Sequence, residues 1–239
     1  MFHSISPVYD FLNHMLSMNM DRRWRAFAAR VVCGVGKGRV LDACSGTGDL
    51  ALAVARRAGR IGAKTFIVAA DFTPSMMALA RRKFESVNGG AMSVAPLPMI
   101  ADTMRLPFAD SCFDAVMVGF GIRNVADARA GLEEMARVCR RGGRVAVLEF
   151  SHPRNPVVAR VYGFYFRRVL PVVGWLMTRR HAYGYLVRSV DAFPDGEDFS
   201  AMLAQATGGQ VSRYPLTFGI VTLYVAGVET TIAGKRRVI

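Results

Sequence analysis

The stretch Arg39-Val-Leu-Asp-Ala-Cys-Ser-Gly-Thr-Gly-Asp49 decides how this chain is read. Val40 and Leu41 close a short apolar run of the kind that forms a buried strand. Gly46 and Gly48 then supply the backbone freedom for a tight turn into a helix that opens near Asp49. Such a turn leaves N–H groups bare and sets the positive end of a helix against whatever binds there. A second apolar run, Thr65-Phe-Ile-Val-Ala-Ala-Asp71, follows the helix, completes a βαβ unit and ends in a carboxylate. In dinucleotide folds an acid at that place accepts hydrogen bonds from the ribose hydroxyls. The stretch therefore predicts a nucleoside-cofactor site.

The flanking residues narrow the cofactor. A dinucleotide fingerprint needs a third glycine three residues after the second, to seat a pyrophosphate. Ala51 stands there instead, Asp49 occupies the place of the pyrophosphate, and Asp42 adds a further acid just before the loop. Like charges repel an anion and favour a cationic sulfonium, so Asp42, Gly46, Thr47, Gly48 and Asp71 point to S-adenosylmethionine rather than to NAD. An ordinary glycine turn would account for the two glycines but not for the three acids around them.

Outward from this unit the pattern alternates. Strands are expected at 39–43, 65–71, 93–100, 113–118 and 144–150, and helices at 48–58, 74–87 and 126–140, with Thr73 as an N-cap and Pro74 in the first helical position. After residues 151–196 interrupt the rhythm, a helix at 197–206 and a close strand pair at 210–215 and 219–228 finish the chain. Short loops between alternating strands and helices predict a mainly parallel α/β sheet covered on both faces, here seven-stranded, Rossmann-like and closed by an antiparallel hairpin. Met1 to Val32 carries a helical apolar stripe and is expected to cap the cofactor cleft. The insert follows a strand's carboxyl end, where ligand sites gather, and is expected to build the substrate pocket. The whole is expected to be one domain, with a loose basic tail over 230–239.

The 239 residues are 52% hydrophobic, enough for a sizeable core, and carry a net charge of +13. Over half of that charge lies between Ser151 and Val190, which holds seven arginines (154, 160, 167, 168, 179, 180 and 188) and no Asp, Glu or Lys. Tyr162, Phe164, Tyr165, Phe166, Leu170, Val172, Val173 and Trp175 are interleaved with them. Arginines with this much aliphatic and aromatic surface suit an anionic membrane face better than a nucleic acid, the alternative being a solvated basic face on a helix pair. The apolar run near Val169 to Met177 is far short of the ~20 residues that span a bilayer. Met1 to Asp21 lacks the form of a secretory leader, and the four cysteines (33, 44, 112 and 139) lack metal spacing. Reduced thiols, no metal and a cytoplasmic protein peripheral to the inner face of the cell membrane are the resulting expectations.

Five segments carry a family resemblance: Met1-Phe-His-Ser-Ile-Ser-Pro-Val-Tyr-Asp-Phe-Leu-Asn13 with Asp21-Arg-Arg-Trp-Arg25; the glycine loop; Phe120-Gly-Ile-Arg-Asn124; Leu148-Glu-Phe-Ser-His-Pro153; and Tyr183-Gly-Tyr-Leu-Val-Arg-Ser-Val190 with Phe193-Pro194. In these the chain resembles the class I quinone C-methyltransferases, which convert demethylmenaquinol to menaquinol and methylate 2-polyprenyl-6-methoxybenzoquinol. The resemblance runs from Met1 to about Val228. It implies cofactor contacts at Thr47, Asp71 and Asp102-Thr103, with Asp102 accepting from the adenine amino group. It also implies a polyprenyl quinol as substrate, demethylmenaquinol first and the methoxybenzoquinol as alternative. No nucleic-acid partner is implied, while a homo-oligomer or a quinone-synthesis complex is compatible with it. Gly119 departs from the family, which often has Ser there, and Ser45 stands where many relatives have Gly.

Methyl transfer from a sulfonium needs no help for the leaving group, since sulfur departs neutral. The demand falls on the nucleophile: a hydroquinone carbon attacks well only as the neighbouring hydroxyl loses its proton, and phenols titrate near 10 in water. A guanidinium can hold the resulting anion. Arg123, after the fourth strand, is the catalytic candidate; pairing with Asp127 as a loop brace is the alternative. The proton acceptor stays open among His152, His181, Tyr183, Tyr185, Tyr9 and Asn13. Competing readings are a methyltransferase of another lipophilic acceptor, an RNA methyltransferase, and a non-catalytic subunit that keeps the fold.

Overall fold

The computed structural model describes residues 14, 17–33, 38–87, 95–169, 172 and 182–229, with backbone alone for 182–185. The expected Met1–Val32 helix therefore lies only in part within the described residues, and the 230–239 tail, His181, Tyr9, Asn13, Arg179 and Arg180 lie outside them. In chain order the elements are α1 (Met20–Val32), β1 (Gly38–Ala43), α2 (Asp49–Arg60), β2 (Thr65–Asp71), α3 (Pro74–Ser86), β3 (Leu97–Ile100) and β4 (Phe113–Gly119). There follow a 3-10 turn (Ile122–Asn124), α4 (Ala128–Val138), β5 (Cys139–Phe150), α5 (Pro156–Phe164) with a π-helical turn (Tyr165–Val169), α6 (Ala182–Ala192), α7 (Gly196–Thr207), β6 (Val211–Leu216) and β7 (Val221–Gly227).

The strands form one sheet in the order β3-β2-β1-β4-β5-β7-β6. The first five run parallel, and β7 enters antiparallel between β5 and β6. Connections run outward in opposite directions from β1 and β4, so the crevice beyond their carboxyl ends is the switch point where ligands bind in open α/β sheets. Strands buried on both faces need continuous apolar runs, and Val40, Leu41 and Ala43 on β1 and Ala115 to Val118 on β4 supply them. α2 and α1 pack on one face with Leu52, Val54, Trp24 and Ala28, while α4 and α7 cover the other with Leu132, Met135, Phe199 and Leu203. A fully buried side chain such as Leu52 contributes about 1.5–3 kcal/mol.

Three elements differ from expectation for local reasons. Of the strand expected at 93–100, residues 93 and 94 lie outside the described residues, and β3 covers Leu97–Ile100 because Pro96 and Pro98 withhold N–H donors and confine this segment to a short edge strand. α4 ends at Val138 and β5 starts at Cys139, which pairs with Phe113 before the register shifts and resumes at Ala115 and Arg144. Thr73 occupies the N-cap of α3 and Pro74 the next position, although the Thr73 side chain makes no capping bond. Its backbone N–H instead donates to Asp71 Oδ1 at 2.8 Å.

Candidate functional site

Five strand ends present their side chains in one row. Asp102 follows β3, Asp71 ends β2, the glycine loop follows β1, Phe120 and Arg123 follow β4, and Glu149 with Phe150 ends β5. The loop is stitched to β2: Ser45 N–H donates to Ala70 O at 2.9 Å, and Gly46 N–H donates to Asp71 Oδ2 at 2.9 Å. Three residues of the turn, Cys44, Gly46 and Gly48, have positive φ (50°, 56° and 83°), and so does Phe120 (60°) at the facing strand end. Positive φ in a non-glycine residue is uncommon, and such strain clusters at ligand sites. Ser45 keeps a negative φ, which is how a Cβ is tolerated at that position.

The acids of the loop are less bare than the sequence implies. Asp42 is wholly buried, with Oδ2 accepting from Ala51 N–H at 2.9 Å and Oδ1 without a partner among the described residues. Burial, opposed only in part by the Ala51 N–H and Arg25, pushes its carboxyl up to about 8. Burial would also raise Asp49, yet Arg25, Lys83 and His14 hold its carboxyl below the usual range. Lys83 Nζ lies 2.7 Å from Asp49 Oδ1 and donates to Thr47 Oγ1 at 3.1 Å. His14 sits 3.5 Å from Asp49 on one side and 2.6 Å from Asp21 on the other, and Asp21 also pairs with Arg25. A charge-based choice of cofactor thus rests on Asp71 and on space rather than on three free carboxylates. His14, Asp21 and Asp49 lie close enough to hold a cation, but Arg25 and Lys83 already supply the positive charge.

The remaining cofactor candidates divide. Asp102 is half-buried and accepts from Met104 N–H at 2.9 Å, beside Asp71, whose carbonyl accepts from Ala101 N–H. The hydroxyls of Thr103 and Thr47 are buried and engaged, that of Thr103 3.0 Å from Cys44 Sγ. The Cβ of an alanine at Gly46 would meet nothing within 4 Å, so the loop leaves open space where a ligand can lie against its backbone. Phe72, which nothing in the sequence singles out, follows Asp71 and is 72% exposed, an aromatic face beside the Asp71 carboxylate.

On the other half of the row aromatic rings run from α1 into the insert: Trp24, Phe120, Phe150, Phe166 and Tyr162, with successive centroids 4.8–6.1 Å apart. Arg25 lies over Phe120 and Arg123 over Phe150, each 5.4 Å from the ring centroid. Arg123 does not pair with Asp127, which is occupied as the N-cap of α4 and accepts from Ala130 N–H at 3.1 Å. Its partner is Glu149, at 2.7 Å from Nη1, with Phe120 O accepting at 2.6 Å and Ser189 Oγ at 3.4 Å. Glu149 lies in the Leu148-Glu-Phe-Ser-His-Pro153 segment, and nothing in the sequence alone gives it a role. His152 is half exposed and braced by Asp195 and Asp191 at 2.9 and 3.6 Å, whereas the Tyr183 and Tyr185 side chains and His181 lie outside the description. Beside it a cavity of about 240 Å³ opens among Ala159, Tyr162, Phe166, Arg167 and Val190 of the insert.

The sequence model of the ubiE/COQ5 methyltransferase family matches residues 1–228. The chain belongs to that family. It is 46% identical over 224 residues to a ubiquinone/menaquinone biosynthesis C-methyltransferase of Geobacter sulfurreducens, covering 94% of this chain and 85% of the relative. It is 45% identical to a demethylmenaquinone methyltransferase of Thermus thermophilus, over 94% and 98% of the two chains. Among solved structures, the methyltransferase complexed with its Trm112 activator in Haloferax volcanii superposes with a TM-score of 0.62 at 17% identity, over 96% and 98% of the chains. A putative S-adenosylmethionine-dependent methyltransferase of Methanococcus maripaludis gives 0.61 at 14%, over 96% and 92%. The fold is that of the class I methyltransferases, and this family member is a methyltransferase.

Proposed function

We propose that the enzyme transfers a methyl group from S-adenosylmethionine to a ring carbon of a reduced polyprenyl quinone, demethylmenaquinol giving menaquinol. The carrying observation is the row of strand ends, nucleoside-type on β1–β3 and aromatic with a guanidinium on β4–β5, in a chain of this family. The residues fit the cofactor: open space at Gly46, an acid at Asp71, the exposed Phe72 for the adenine face and Asp102 for its amino group. Gly48, Thr47, Thr103 and the buried Asp42 shape the loop from beneath rather than through free side chains. When bound, S-adenosylmethionine supplies an activated methyl group on a sulfonium.

The chain's own task is to raise the acceptor's nucleophilicity in a dry site. Arg123, 7% exposed and stacked on Phe150, favours the quinolate over the quinol, and removal of water strengthens that preference. The aromatic row gives a flat ring its bed. The domain is read as one methyltransferase unit with a cap at 1–32, a substrate and membrane insert at 151–196 and a basic tail.

A polyprenyl substrate resides in the bilayer, and the insert suits contact with it. Along α5, Val157, Val161 and Phe164 recur at helical spacing and are 66–69% exposed, with Arg154, Arg160, Arg167 and Arg168 exposed around them. The opposite side of the same helix lines the 240 Å³ cavity. No helix among the described residues is long and apolar enough to cross a membrane. The reading is peripheral attachment to the inner, anionic face. The test is methylation with labelled S-adenosylmethionine of reduced demethylmenaquinone and of the reduced methoxybenzoquinone, side by side. Label in the naphthoquinol supports the proposal, label only in the benzoquinol selects the alternative, and label in neither refutes both.

A further inference from the structure

Among the described residues, Glu149 is the one buried carboxylate at the acceptor end of the row. It ends β5, is 2% exposed, and has both its neighbours in the sheet occupied by strands. Oε1 carries two bonds, from Arg123 Nη1 at 2.7 Å and from Phe150 N–H at 2.9 Å. Oε2 is buried with no partner among the described residues. A buried carboxylate oxygen without a donor is costly, and natural structures keep one where a ligand or a proton completes it. The charged and titratable groups around this corner are Arg123 from the turn after β4, Tyr162 from α5, Tyr165 from the π-helical turn and Asp191 from α6, and Tyr165, Asp191 and Arg123 all act on Tyr162. The Tyr162 hydroxyl is itself buried, with no partner among the described residues, and burial first of all raises its titration, so it stays neutral at working pH.

We infer that Glu149 is the proton acceptor of the reaction: its free Oε2 takes the proton of the quinol hydroxyl while Arg123 holds the oxygen left behind. This rests on the quinol reading above. The O–H electron pair stays on the quinol oxygen and feeds into the ring, whose carbon bonds to the methyl carbon as the methyl–sulfur pair withdraws onto sulfur. The methylated carbon then loses its own hydrogen as a proton to solvent, the ring regains aromaticity, and Glu149 returns its proton to the oxygen. The net change is one C–H replaced by C–CH3 and one proton released.

Charge bookkeeping favours this arrangement. With Glu149 ionised, the Arg123–Glu149 pair is neutral. Moving a proton from quinol to Glu149 transfers the negative charge to the quinol oxygen and frees the guanidinium for it, so the proton transfer itself creates no net charge in the buried site. Burial raises the Glu149 carboxyl, and Arg123 and the Phe150 N–H oppose that in part, which brings base and phenol closer in strength. His152, half exposed and tied to two aspartates, has neither the burial nor the free atom.

The test compares native enzyme with Glu149→Gln, an isostere that keeps the acceptor for Arg123 and Phe150. Calorimetry should give the same S-adenosylmethionine affinity for both, which reports that the variant is folded. Native kcat should be flat between pH 7 and 9, because the proton goes to an internal base. For Glu149→Gln the proton must leave to solvent, so kcat should rise about tenfold per pH unit and approach the native value near pH 9. Glu149→Asp should keep the flat profile at lower kcat. A Glu149→Gln profile parallel to the native one at any level, the signature of a merely structural role, overturns the inference. Should Glu149→Gln fail to fold, a native kcat that climbs with unit slope through pH 9 overturns it alone. Native enzyme that methylates neither quinol refutes the acceptor reading, not the base.

Discussion

Alanine at Gly46 and alanine at Gly48 should damage different properties, although the two positions lie two residues apart in one turn. Both have φ in the left-handed region, 56° and 83°, where a Cβ costs about 1–2 kcal/mol. At Gly46 that is the whole stability cost, because the added Cβ meets nothing within 4 Å. At Gly48 the Cβ would lie 2.5 Å from Phe84 Cε1 and closer still to Cζ, on a ring that is 2% exposed and packed in the core. Forcing a methyl group into a packed core adds about 1–3 kcal/mol, so Gly48→Ala should lose about 2–5 kcal/mol in urea unfolding and Gly46→Ala about 1–2. Cofactor affinity should follow the reverse order. Under the proposed function the cofactor lies against backbone in the open space at Gly46, so Gly46→Ala should weaken S-adenosylmethionine binding about tenfold or more by calorimetry, equivalent to about 1.4 kcal/mol. Gly48→Ala combined with Phe84→Leu should recover part of the lost stability, since the smaller side chain vacates the contact. Equal stability loss for the two single variants, or native cofactor affinity in Gly46→Ala, refutes the reasoning.

Three further outcomes follow from the same geometry. The Asp42 carboxyl, raised from 3.8 to about 8 by burial, stays protonated in the folded chain while the unfolded chain ionises, so stability is full below pH ~4 and is lost as pH climbs to about 8; Asp42→Asn should flatten that loss in urea unfolding at pH 5 and pH 8, and an unchanged slope counts against it. Arg123→Lys keeps a charge but not the planar fork that reaches Glu149 and Phe120 O while lying on Phe150, so its kcat should be nearly as low as that of Arg123→Ala, with S-adenosylmethionine affinity unchanged in both; a near-native Lys variant argues against the planar contact. Replacing Val157, Val161 and Phe164 together by Ser should release the enzyme from anionic vesicles at low salt while turnover of a short-chain soluble quinol persists, and equal vesicle binding in a flotation assay removes α5 from the membrane reading.

What the sequence made legible has local causes. The strand, glycine turn and helix at 38–60, and the acid closing β2, declare themselves through periodicity and turn chemistry that act within a few residues. The antiparallel β6–β7 pair declares itself through its short connection, Thr217–Gly219. The apolar residues around Pro96 and Pro98 hide that these prolines hold β3 to Leu97–Ile100, and the start of β5 is hidden because Cys139 to Gly143 carries glycines and arginines that pair only across an irregular register. The partners of the site residues were not legible at all. Arg123 meets Glu149 across 26 residues, and Lys83 meets Asp49 across 34, and no periodicity connects such pairs.

Topology makes those meetings, and it also explains why the motifs work together. In the chain they occur in the order glycine loop, Asp71, Asp102, Arg123, Glu149; in the sheet the order is Asp102, Asp71, glycine loop, Arg123, Glu149. The first three fall on one side of the switch point and the last two on the other. Under the proposed function, the nucleoside half of the cofactor lies over β3, β2 and β1, and the acceptor ring over β4 and β5. The methyl group then crosses at the β1–β4 crevice, where Cys44 and Phe120 follow the two paired strands and both have positive φ. A base on β5 belongs in that arrangement, because it stands beyond the ring from the sulfonium and takes a proton from the acceptor without approaching the cofactor's positive charge.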